Sequence, residues 1–193
     1  MTNCEEEIHI VTFTTNDKSH SSIDIIQILL DQYNHTIIKK SSHAIALKMV
    51  LAKRKKPTKI MLCEILNLTK EYPGIMDVNC YLIFIDLEND KSKESLDLII
   101  SFLKRYGDLT KMIYILGIVN NNKISKQIIN KNDINKIMLF ENLYFYEFIE
   151  SCLEKKVEVS KSLLNIFIKC IKEGNEKEKN NNQAHSCNSC NVY

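Results

Sequence analysis

The chain has 193 residues, 45% apolar and 26% charged, with a formal net charge of +2. That is one domain of ordinary size with enough apolar material for a core, and without the basic surplus that a nucleic-acid binder shows. The polar, acidic start is unlike a secretory leader, and no apolar run has the length of a membrane span. The seven cysteines are scattered through apolar segments, which suits buried, reduced thiols in a cytosolic protein better than a disulfide framework.

Residues 8–13 (IHIVTF) are short, β-branched and nearly continuously apolar, as a strand covered on both faces should be. A polar loop, 14–20, follows. Ser21 and Ser22 then offer an N-cap to a helix over 23–30. Residues 44–50 and 59–64 read as two strands joined by a basic turn, hence an antiparallel hairpin. Residues 80–87 (CYLIFIDL) are the clearest buried strand. Ser92 opens an amphipathic helix through Tyr106, with Leu96, Ile99, Ile100 and Leu103 on one face. Residues 112–119 are another buried strand, 130–142 a loop with a short helix, 143–149 a final strand and 157–172 a final helix. Strands alternating with helices imply right-handed crossovers and a mostly parallel sheet with helices on both faces. With one antiparallel edge hairpin the expected α/β sheet has six strands. The expected organisation is a single domain over 1–173 and a disordered tail over 174–193, rich in Lys, Glu and Asn and poor in apolar groups.

The tail carries Cys187 and Cys190, and Cys190 lies four from the end in Cys190-Asn191-Val192-Tyr193. That is the spacing of a prenyl-acceptor box, with Cys187 as a second lipidation site. Two lipid chains hold a protein on a membrane where one does so only marginally. The competing reading is a metal site with His185, but His185, Cys187 and Cys190 supply three of the four ligands that zinc needs.

In a doubly wound sheet ligands bind beyond the carboxyl ends of the strands. The loop after the first strand reads Thr14-Thr15-Asn16-Asp17-Lys18-Ser19-His20-Ser21. It has the spacing of a phosphate-binding loop and few of its residues. Thr14 and Ser19 stand where glycines belong and His20 where lysine belongs, while Ser21 matches the metal-binding hydroxyl.

Taken with the order of its elements, this loop makes the chain resemble a Ras-superfamily small GTPase, most closely of the Rab branch, over about residues 7–173. The resemblance implies a small-GTPase-like P-loop fold, GTP or GDP with Mg as cofactors, and a role in vesicle traffic. Its implied partners are trafficking regulators or effectors and, through the lipidated tail, the cytosolic face of an endomembrane. It also places the degenerate motifs. The metal-associated Asp-x-x-Gly becomes Glu64-Ile65-Leu66-Asn67, followed by Leu68 where the family keeps its water-orienting Gln. The guanine-reading Asn-Lys-x-Asp falls near Asn120 and Asn121, and Ser-Ala-Lys near Ser151 and Cys152. Thr36 stands in for the switch threonine, which with Ser21 would complete the Mg ligands. Loss of the lysine and of the glutamine removes charge stabilisation and water orientation, so hydrolysis is expected to be weak or absent and no catalytic residue is assigned. Two functions follow as expectations: a Rab-like protein defective toward GTP, or a noncatalytic scaffold that binds regulators or effectors of genuine Rabs. A flavodoxin-like enzyme is disfavoured by the hairpin over 44–64.

Overall fold

A computed structural model describes residues 7–15, 21–31, 33–51, 57–72, 74–119 and 127–187, of which Leu153 and 173–187 are described by backbone alone. The elements in chain order are β1 (Glu7–Thr14), α1 (Ser22–Leu30), β2 (His35–Lys40), β3 (Ala44–Met49), β4 (Thr58–Glu64), β5 (Cys80–Asp86), α2 (Ser92–Tyr106), β6 (Met112–Val119), α3 (Lys131–Phe140), β7 (Tyr146–Cys152) and α4 (Lys156–Cys187). The seven strands form one mixed sheet in the order β2-β3-β4-β1-β5-β6-β7. Strands β4, β1, β5, β6 and β7 are mutually parallel, and β2 and β3 are antiparallel additions at one edge.

The pleat of β5 explains the layers. Cys80, Leu82 and Phe84 point to one face, where they pack with α1 (Ile26, Leu29) and α4 (Leu163, Phe167). Tyr81, Ile83 and Ile85 point to the other, against α2 (Ile100, Leu103) and α3 (Ile134, Met138). A strand covered on both faces must be apolar at successive positions, and all but the last residue of β5 are buried.

The expected α/β architecture and its antiparallel edge are present, but the sheet has seven strands instead of six. The additional one, β2, pairs with β3 and is bulged between Ile37 and Lys39. Its residues are almost all exposed, so no burial pattern marks it in the sequence. Its ladder to β3 and the edge lysines Lys39 and Lys40 account for it. The last strand also shifts, from the expected 143–149 to Tyr146–Cys152. The cause is the end of α3. Asn142 adopts φ 57°, its N–H bonds Leu139 O, and the Leu143 N–H bonds Met138 O. This closing motif tucks Leu143 into the core before the strand begins. At its start α3 has a reciprocal capping box between Asn130 and Asp133. Finally, α4 runs through Cys187 where the sequence predicts a helix ending at Lys172 and a disordered tail. Glu173, Glu176, Lys177, Glu178, Lys179 and Gln183 in the continuation are good helix formers, whereas Gly174, Asn175, Asn180, Asn181 and Asn182 have weak helix preference.

Tyr81 ties the loops at the amino edge of the sheet together. Its hydroxyl donates to Ile75 O at 2.9 Å and accepts from the Asp108 N–H at 2.7 Å. Burial pushes the phenol up, which keeps it a donor. Gly107 lies beside it, and a Cβ there would stand 3.0 Å from the Tyr81 hydroxyl and 2.8 Å from Leu103 O. Replacing Tyr81 by Phe strands two polar backbone groups. The expected loss is about 1–3 kcal/mol of stability, read as a lower urea midpoint at unchanged slope. An unaltered midpoint would show that water replaces the hydroxyl without cost.

Candidate functional site

The carboxyl ends of the five parallel strands lie along one edge. The chain leaves β1 toward the face of α1 and leaves β5 toward the face of α2. Neighbouring strands whose loops depart to opposite faces open a crevice between them, the usual ligand position in such sheets.

A buried polar cluster occupies this edge. Thr12 on β1 and Ser22 at the first turn of α1 share a hydroxyl–hydroxyl bond of 2.6 Å. The Ser22 N–H donates to Glu64 Oε1 at 2.6 Å. Thr12 and Ser22 are fully buried and Glu64 is 3% exposed. The second carboxylate oxygen, Oε2, is buried and has no hydrogen-bond partner among the described residues. Ser21 is the N-cap of α1, and its hydroxyl accepts from the Asp24 N–H at 3.1 Å. On the other side of β1, Thr15 Oγ1 donates to Ser92 Oγ at 3.0 Å and accepts from the Asp86 N–H at 3.1 Å. Two clusters, one on each side of β1, therefore tie the ends of β1 and β4 to the start of α1 and the ends of β1 and β5 to the start of α2.

The physical reason is the helix terminus. The first N–H groups of α1 have no partner within the helix and carry the positive end of its dipole. Such a terminus is a ready site for an anion, phosphate included. Here the anion at the Ser22 N–H is the protein's own carboxylate, delivered from the end of β4.

The expected site residues divide accordingly. Thr14, Ser21, Glu64, Ser151 and Cys152 all lie at the carboxyl edge, since Ser151 and Cys152 pair with Ile118 and Val119 at the end of β6. Asn67 lies beyond β4 and is used locally, its Oδ1 accepting from the Thr69 N–H and hydroxyl at 2.9 and 2.6 Å. Thr36 is not brought to the site. It pairs with Lys48, which pairs with Lys59, which pairs with Glu7, so it stands level with the first residue of β1. That is on the order of 23 Å from Thr14 along the strand direction and about three strand spacings away across the sheet. Ser19, His20, Asn120, Asn121 and Cys190 lie outside the described residues, and Cys187 is the last residue of α4. The sequence reading missed Thr12, Thr15, Ser22, Asp86 and Ser92. The signal was available: Thr12 is a polar residue in an otherwise apolar strand, and a buried hydroxyl needs a partner.

No protein-family model matches the chain, and no curated protein matches it. Among the described residues no group of three or more His, Cys, Asp or Glu is placed to hold a metal ion, and no helix is long and apolar enough to cross a membrane.

The carboxylate's role at α1 can be measured. Glu64→Ala leaves the Ser22 N–H buried and unpaired and should cost about 1–3 kcal/mol of stability. Glu64→Gln keeps an acceptor oxygen and should cost less. Equal urea midpoints for the parent and the alanine variant would remove Glu64 from this role.

Proposed function

We propose that the chain is a Rab-like protein of small-GTPase fold acting in vesicle-mediated membrane traffic, with GTP binding and hydrolysis weak or lost. Three features support the fold assignment. The parallel strands run β4-β1-β5-β6-β7, an antiparallel strand lies beyond β4, and helices α1 and α4 share one face. The single observation that carries the functional reading is the Glu64 carboxylate on the first-turn N–H of α1.

GTP and Mg are what the resemblance implies, and the described residues do not fit them. A phosphate at the start of α1 would have to displace Glu64 Oε1 from the Ser22 N–H to reach that donor. The Ser21 hydroxyl accepts from Asp24, and Thr36 stands at the opposite edge of the sheet, so these two do not form a joint metal site. The same observation favours the scaffold form of the reading. A protein whose α1 terminus is satisfied internally needs no ligand to hold that conformation, and it can present one fixed surface to regulators or effectors of active Rabs.

Membrane attachment belongs to this reading through Cys190 as prenyl acceptor and Cys187 as the second lipidated residue. The acidic residues Glu173, Glu176 and Glu178 offset Lys172, Lys177 and Lys179, so electrostatics cannot serve as the second signal.

Two measurements test the proposal. Protein purified natively should carry no guanine nucleotide by mass spectrometry. Calorimetry with GTP and magnesium should give an affinity orders of magnitude below that of an active small GTPase. Sub-micromolar binding would overturn the reading of the α1 terminus. For the tail, cells expressing Cys187→Ser, Cys190→Ser and the double variant should show progressive loss from the membrane fraction. A double variant that sediments with membranes as firmly as the parent would place the anchor elsewhere.

A further inference from the structure

Cys80 is the first residue of β5, and Cys170 lies on the side of α4 that packs on the sheet. Both are 0% exposed. Their sulfurs are 2.9 Å apart, with the Cys170 thiol donating to Cys80 Sγ, although 90 residues separate them in the chain. Two other cysteines are placed differently: Cys63 is exposed and Cys152 half-buried. Two thiols brought together across a core, one from the interior strand β5 and one from α4, need only a small closure to reach a bond of about 2.03–2.05 Å.

We propose that Cys80 and Cys170 form a dithiol–disulfide couple that a small-molecule disulfide oxidises, locking α4 onto β5. Because both sulfurs are buried, the reaction passes through an opening of α4. The exposed thiolate attacks one sulfur of the small disulfide, forming a mixed disulfide and releasing a small thiolate. Reclosure brings the second protein sulfur onto the mixed disulfide, and the remaining small half leaves as the second thiolate. One S–S bond is broken and one is formed. The two protons lost by Cys80 and Cys170 end on the two small thiols, and the protein is oxidised by the two electrons that those thiols gain. The linked form closes a 90-residue loop in the unfolded chain, which raises the stability of the folded state.

The test uses the full chain, reduced and then incubated with glutathione disulfide under native conditions. After unfolding and alkylation, tryptic mapping should show peptide 71–91 joined to peptide 170–172, with the intact protein lighter by two hydrogens. The same oxidation of the urea-unfolded chain should scatter the links among the seven cysteines. The linked protein should melt at a higher temperature than the reduced one. That difference should vanish in both Cys80→Ala and Cys170→Ala. If one variant does not fold, the peptide map of the parent decides by itself. Glutathione adducts or links confined to other cysteines, with Cys80 and Cys170 both alkylated after unfolding, would overturn the proposal. So would a linked form that melts no higher than the reduced chain.

Discussion

Every layer of this molecule is built on the requirement that β5 be covered on both faces. Its side chains alternate between a core shared with α1 and α4 and a core shared with α2 and α3. Neither core would close without it, because β5 separates the β1 side of the sheet from the β6–β7 side. Burial on this scale stabilises by about 25 cal/mol for each Å² of apolar surface removed from water, and the β5 residues from Cys80 to Ile85 are at most 1% exposed. The position also explains why polar chemistry appears only where the strand ends. Asp86 is the first β5 residue to leave full burial, and its N–H joins the hydroxyl network at the carboxyl edge.

That edge is arranged around the α1 terminus. A helix start left without partners inside a protein is unfavourable, and there are two ways to satisfy it: bind a ligand, or supply an internal acceptor. Thr12, Ser22 and Glu64 supply it internally. The start of α1 therefore holds its conformation through contacts within the protein.

Much of the fold could be read from the sequence, and the failures have a common origin. The continuous apolar character of 80–87 and 112–119 marks strands that are buried on both sides, and helical spacing in 92–106 sets the bounds of α2. Ser21 was legible as a cap because its type and position carry that meaning by themselves. What could not be read was structure held by backbone pairing. His35–Lys40 has no buried face, so β2 leaves no periodic trace, and its existence depends on β3 lying beside it. The start of β7 was misplaced because Asn142 turns the chain through a conformation that composition does not announce. The site was half legible. Thr14 and Ser21 follow from loop spacing and Glu64 from the family resemblance, whereas the Thr12–Ser22–Glu64 contacts depend on which strand lies next to which. Thr36 failed for the same reason, since its distance from the site is set by the added strand.

The dependence of α1 on α4 also governs how the chain can assemble. The Ser160 hydroxyl bonds Leu29 O across 131 residues, and the apolar side of α1 shares its core with Leu163, Ile166 and Phe167. During synthesis the β3–β4 hairpin and the β5–α2–β6 unit can form from nearby segments, but the α1 side of the sheet stays uncovered until the last helix emerges. Contacts of such long sequence separation form late, and the bare apolar face invites association in the interval. A nascent chain stalled before α4 would therefore be a client for chaperones, and release of the C-terminal helix commits the whole molecule to its native state.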